Sequence, residues 1–259
     1  MPRQRRLSLG RAWRAVAAQR CAALAVCLVL SAGAGSAAPA TAGESDGPSP
    51  PPNTILPAAP PVATATPVAV TSDPGTGGIQ ILAVGFGQSR PGGPVTVAAR
   101  IQNDGPSVDL IPISITIYDA GGVVIGAGDV TAHYLVAGET TGFAHRLTTH
   151  GSGAAAQVQL QPGDGRPASD PLPGSLEFSS VSLVTDRSGM EVSAVLTSTY
   201  SNDLSEVRVD AIAYDGRGSI IGGGELIKRR VPAGSSVGVL VPLDLSGTPA
   251  RIELYAHLP

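Results

Sequence analysis

Aromatic residues make up 3% of this 259-residue chain and charged residues 14%, and there are two cysteines and one tryptophan. Both cysteines, Cys21 and Cys27, and Trp13 fall in the amino-terminal 42 residues. Beyond that segment there is no thiol nucleophile, no disulfide and no sulfur ligand for a metal. The Cys-Trp-Cys pattern of antibody-type domains is missing too. Positive charge is equally scarce. Six of the 17 basic residues (Arg3, Arg5, Arg6, Arg11, Arg14 and Arg20) sit in the same segment, which leaves eleven against 20 acids. A surface that acidic repels phosphate backbones, so nucleic acid is excluded as a partner.

Long apolar runs are missing as well. The only extended one, Cys21 to Leu30, is about half the roughly twenty residues needed to cross a bilayer. It follows the arginines and precedes the small-residue run Ser31 to Ala42, the order of a secretory signal peptide. Residues 1–42 are therefore expected to be a leader, cut after Ala42, with membrane contact only if it stays uncut. Residues 43–78 are rich in proline, alanine and threonine, and because the prolines break every regular element they are expected to be a disordered, semi-rigid spacer.

After Gly78 the pattern becomes short β-branched runs between Gly, Pro, Asn and Asp, and it occurs twice. Ile113-Ser-Ile-Thr-Ile-Tyr118-Asp119, Gly122-Val-Val-Ile-Gly126 and Ala137-Gly138 match Val209-Asp-Ala-Ile-Ala-Tyr214-Asp215, Gly218-Ser-Ile-Ile-Gly222 and Ala233-Gly234, all at an offset of 96. Val84 and Arg90 match Val181 and Arg187 at 97. Apolar and polar residues alternate in Ile113/Ile115/Ile117 around Ser114 and Thr116, and in Val207/Val209/Ala211/Ala213 around Arg208 and Asp210. One sheet face then packs on a core while the other meets water. Roughly seven strands are expected per copy, with breaks near 128 and 224. The expected fold is all-β: two tandem immunoglobulin-like antiparallel β-sandwich repeats, 79–162 and 175–259, joined by a linker at 163–174.

The segments Ile115-Thr-Ile117-Tyr118-Asp119 and Ala211-Ile-Ala213-Tyr214-Asp215, followed by Gly122 and Gly218 and, in the second copy, by Val231-Pro-Ala-Gly234, resemble the FxLYD domain family. That family is a small β-sandwich module of bacterial exported proteins. The resemblance covers about 95–147 and 192–243, with Ile115 and Ala211 in place of the phenylalanine. It implies a non-catalytic module with no defined ligand. On physical grounds Tyr118, Asp119, Gly122, Tyr214, Asp215 and Gly218 form a structural motif. Each aspartate ends a strand where its carboxylate can accept turn amides, and each tyrosine supplies apolar area with a hydroxyl.

No catalytic, cofactor or metal residue is assigned. Gly121 to Gly128 has neither the Gly-x-Gly-x-x-Gly spacing nor a following Lys-Ser/Thr, so it is a turn and packing device. The four histidines, His133, His145, His150 and His257, have no counterparts in the other copy and read as scattered surface groups; His133 and His145 flank one hairpin without a third zinc ligand. Loop acids (Asp104 with Asp109, Asp203 with Glu206, Asp164 with Asp170) would suit calcium but follow no calcium-loop pattern. Tyr134 and Tyr200 are the aromatics least needed by the cores and the candidates for a sugar platform. Lys228-Arg229-Arg230 reads as a solvated edge that discourages sheet pairing. The function expected is a non-enzymatic, extracytoplasmic cell-envelope protein. It would act as a structural or protein-interaction module whose partner is an envelope protein or, alternatively, a polysaccharide bound with calcium.

Overall fold

The computed structural model describes residues 28–29, 78–168, 172–185 and 189–258. The leader and spacer expectations lie outside these residues, apart from Leu28–Val29 and Gly78, as do Asp170 and Arg187. The described residues are strands and turns without a helix, and every strand pairing is antiparallel. In chain order the strands are β1 (Leu28–Val29), β2 (Ile79–Gly87), β3 (Val95–Asn103), β4 (Val108–Asp109), β5 (Ile111–Asp119), β6 (Val124–Ala132), β7 (Thr140–Leu147) and β8 (Ala155–Pro162). There follow β9 (Arg166–Pro167), β10 (Leu176–Thr185), β11 (Met190–Ser198), β12 (Leu204–Tyr214), β13 (Ile220–Val231), β14 (Ser236–Leu245) and β15 (Arg251–His257).

Two β-sandwich-like units result. In the first, the sheet β2-β3-β7 faces the sheet β6-β5-β8. In the second, β10-β11-β14 faces β13-β12-β15, and β1 pairs with the outer edge of β15. The pairing order of the first unit thus recurs in the second. β14 joins both sheets of its unit, because Asp244 and Leu245 also pair with Gly223 and Gly222 of β13. Inside the connector, Arg166–Pro167 folds back to pair with Val108–Asp109 of the first unit.

The period-2 pattern explains the cores. Ile111, Ile113, Ile115 and Ile117 are buried while Pro112 and Ser114 are exposed, and the inward side chains of β3, β7 and β8 close over them. Val192, Ala194 and Leu196 of β11 meet Val207, Val209 and Ala211 of β12 in the second core. Alternation fails in β3, most of β7 and the end of β12, where residues on both faces are buried. Strands covered on both sides behave this way, and here the second cover is the other unit.

Each unit has six long strands, one fewer than the sequence suggests. β6 and β13 run unbroken through the glycines expected to turn the chain. Those glycines lie mid-strand because other chain segments press on them: a Cβ on Gly128 would come 2.5 Å from Leu147 Cδ2, and one on Gly223 would overlap the Ala211 carbonyl oxygen.

Candidate functional site

The residues that carry chemistry collect on the seam between the units, where the outer face of β2-β3-β7 meets the outer face of β13-β12-β15. The first unit brings almost no side chain to the centre of this contact: Ala83, Gly85, Gly87, Ala98, Gly142 and Ala144. The second brings Ile212, Tyr214, Ile220 and Tyr255, which form a third buried cluster with Ala98 and Ala144. Small residues on one side let large ones seat on the other. A Cβ at Gly142 would sit 2.5 Å from Tyr255 Cε2 and 2.6 Å from Ile212 Cδ1, and one at Gly85 would overlap the Ile220 carbonyl.

Charged groups ring this apolar patch. Arg208 lies 3.0 Å from Asp210 and 2.8 Å from Glu225, and donates to the Ala144 carbonyl across the seam. Glu225 also accepts from the Arg146 amide at 3.0 Å and stands 3.3 Å from His145 Nδ1, both in the first unit. His257 Nε2 is 3.6 Å from Asp210 and 2.9 Å from the Gly142 carbonyl. Beside Glu225, Asp244 takes Thr96 at 2.9 Å, Ser89 at 3.1 Å and Arg146 at 3.0 Å. Complete burial drives the Asp210 carboxyl pKa upward, and Arg208 and His257 only partly oppose it. Burial also acts to raise Glu225, but the His145 and Arg146 hydrogen bonds and the Arg208 charge outweigh it, so its pKa is lowered.

A second polar knot closes the seam beside Tyr214. Glu253, nearly buried, accepts from Tyr214 Oη at 2.6 Å, Tyr255 Oη at 2.7 Å and Arg251 at 2.8 Å. The Arg251 guanidinium stacks 4.0 Å above the Tyr214 ring. The Tyr214 hydroxyl pKa is pushed up by burial and by the Glu253 hydrogen bond and charge, while the same hydrogen bonds and nearby cations overcome burial and lower Glu253.

Where His133, Arg208, Asp210 and His257 meet, Thr131 and Thr141 complete a small groove. His133 faces Asp109 at 3.9 Å, and burial lowers its pKa more than Asp109 raises it. In this groove Asp210 is engaged with Arg208 and His257 with the Gly142 carbonyl. Among the described residues, no group of three or more His, Cys, Asp or Glu side chains is placed to hold a metal ion.

The motif residues occupy matching places in the two units. Asp119 Oδ1 accepts from the Gly121 and Val123 amides at 2.8 and 2.9 Å, and Asp215 Oδ1 accepts from those of Arg217 and Ser219 at 2.9 and 2.8 Å. Gly122 and Gly218 supply the left-handed turn residues, with φ of 77° and 84°. Tyr118 Oη donates to Gln159 as Tyr214 Oη does to Glu253, yet Tyr118 is half-exposed and Tyr214 is buried.

Several expectations change. Arg208 and Asp210 were placed on a water-facing side of β12, and that side faces the first unit. His145 and His257 are half-buried members of the seam rather than scattered surface groups, while His150 is exposed. Tyr214 and Tyr255 fill the seam in place of a sandwich core. Tyr134 is half-buried with a φ of 38°, and Tyr200 packs against the second core. The loop acids hold amides: Asp109 accepts from Leu110 and Tyr134, and Asp203 from Ala233. Lys228 and Arg230 reach the Gly238 carbonyl and Asp203, and Arg229 is exposed. Glu225 and Glu253 were not singled out by sequence. Their signal lay in the repeat itself, where Tyr118 faces neutral partners and Tyr214 faces charged ones.

No family model and no curated sequence matches the chain. Among solved structures, a red sea bream transglutaminase is similar over 70% of this chain and 29% of its own length, at 11% identity and a TM-score of 0.23. At that score the likeness carries no argument. No helix among the described residues is long and apolar enough to cross a membrane.

Proposed function

We propose that this chain is an exported, non-enzymatic protein of the cell envelope. On this reading two tandem immunoglobulin-like repeats of FxLYD type form one stiff body at the end of a proline-rich spacer, and that body serves as a structural or protein-interaction module. The observation that carries the reading is the use made of the chemical groups. Arg208, Asp210, Glu225 and His257 pair with one another, Arg251 holds Glu253, and His145, Arg146 and the Ala144 and Gly142 carbonyls reach this network from the first unit, so these ionisable side chains close the joint between two sandwiches instead of lining an open cleft. What remains outside is sheet faces, edges and turns, the surfaces by which β-modules bind other proteins. The leader-like arginine and apolar runs support export, and the proline spacer supports display away from an anchor.

The test is retention of envelope components from the source cell by the exported protein, with and without calcium. A defined protein retained in both conditions is the expected result. Polysaccharide retained only with calcium would overturn it in favour of the sugar-binding alternative.

A further inference from the structure

We propose that copies of this protein stack head to tail, the outer face of β10-β11-β14 of one copy seating on the outer face of β6-β5-β8 of the next. The occupant follows from the seam. The seam joins the β2-β3-β7 face of the first unit to the β13-β12-β15 face of the second, which leaves uncovered the β13-β12-β15-like face of the first unit and the β2-β3-β7-like face of the second. A contact between different surfaces repeats in this way whenever each end presents the half that the other end accepts. The inference depends on neither export nor an envelope partner.

Register makes the correspondence residue by residue. Gly142 pairs with Arg100, as Gly238 pairs with Val195. Ile220 pairs with Tyr214, as Val124 pairs with Tyr118. Glu253 pairs with Ile212, as Gln159 pairs with Thr116.

Gly238 is the telling residue. It lies mid-strand, where glycine weakens a sheet, its φ is not of the left-handed kind, and a Cβ there would meet nothing within 4 Å. Nothing among the described residues calls for glycine at this position. Its counterpart Gly142 is required because Tyr255 and Ile212 press on it from the other unit. A second copy presenting Thr116 and Gln161 in those places gives Gly238 the same reason. The sizes are also complementary. Leu240 replaces Ala144 and is 46% exposed, Val184 replaces Gly87 and is 40% exposed, and opposite them Thr116 stands for Ile212 and Val124, 53% exposed, for Ile220. What one face gains in volume the other gives up. The free faces carry Ser114 and Gln159 where Asp210 and Glu253 stand in the seam, but Asp129 lies on one and Glu177 and Glu191 on the other, so stacking tightens as salt screens these acids.

Sedimentation velocity tests this on the full chain, expressed with its leader and recovered as the cell processes it, over a roughly thousandfold concentration range. The wild-type protein is expected to associate as concentration rises. Gly238→Val and Thr116→Arg, one on each face, should each abolish association while leaving the melting temperature within a few degrees of wild type. An equimolar mixture of the two variants should give a dimer and nothing larger, because each retains one intact face. A wild-type protein monomeric throughout would overturn the proposal. So would association that survives either substitution, or a variant mixture that stays monomeric.

Discussion

Replacing Gly142 by alanine tests the seam without touching either sandwich core. The added Cβ would lie 2.5 Å from Tyr255 Cε2 and 2.6 Å from Ile212 Cδ1, whereas carbon atoms pack at about 3.5–4.0 Å. Ile212 can yield by turning its terminal methyl. The Tyr255 ring is held by its 2.7 Å hydrogen bond to Glu253, so a retreat of about 1 Å lengthens that bond beyond use. Overpacking costs about 1–3 kcal/mol and a hydrogen bond to a charged group about 1.5–3 kcal/mol. Removing a strand glycine returns about 0.5–1 kcal/mol. The expected net loss is about 1.5–5.5 kcal/mol, a fall in melting temperature of roughly 3–22 °C for a folded body of this size. Gly238→Ala is the matched control. It makes the same change at the corresponding place in the second unit, with nothing within 4 Å, and should melt at or slightly above wild type. Calorimetry at low protein concentration reads both. If Gly142→Ala melts with or above the wild type, or if both variants fall together, the tight apposition of the units is refuted.

Asp210→Ala removes one of the two carboxylates that hold Arg208 and should cost about 1.5–3 kcal/mol in chemical denaturation, with Asp210→Asn recovering part of the loss. Asp215→Ala removes the acceptor for two turn amides and should lower stability by about 1–2 kcal/mol, read from its melting curve. Individual groups also tie stability to pH. Glu225 and Glu253 have folded pKa values below their ordinary 4.5, so their contribution is complete above pH 4.5 and lost as pH drops through the folded values. His133, lowered from 6.5, adds a loss that begins as pH falls below 6.5. Asp210, raised, acts in the opposite sense, its contribution fading as pH rises through its folded value. Melting temperatures measured from pH 7 to 3.5 should show the gap between wild type and Glu225→Gln narrowing as pH falls below 4.5, because the variant lacks the Glu225 contribution throughout.

The strands were largely legible because their inward residues are β-branched and alternate, as in Ile113, Ile115 and Ile117. The motif turns were legible for a similar local reason: an aspartate two and four residues before the amides it binds is a short-range device. The seam was hidden by the same pattern. Arg208, Asp210 and Glu225 alternate with core residues just as solvated residues do, and a period-2 pattern says which residues share a face but not what lies over it. Glycine was misread for a related reason. At Gly126, Gly128, Gly222 and Gly223 the residue marks a neighbour pressing close, which depends on the arrangement of distant strands. Comparing the copies position by position carried the missing information: Ser114 against Asp210, Thr116 against Ile212 and Gln159 against Glu253 show the same sheet face built of small neutral residues in one unit and of charged or bulky ones in the other.

The seam also sets how the body answers to force. β2 enters the first unit and β15 closes the second, and both belong to the sheets that meet there. Tension applied between residues 78 and 258 therefore enters directly on either side of the joint, without first traversing a sandwich core. The opposed sheets would be sheared along a surface of glycine and alanine on one side and tyrosine and isoleucine on the other, pinned by Asp244 and Glu225, which both hold Arg146. Such a joint resists until its ionic pins give way, and the two sandwiches can then part while each stays folded. Extension would come first as a short separation of intact units, with the unravelling of either sheet pair only at higher load.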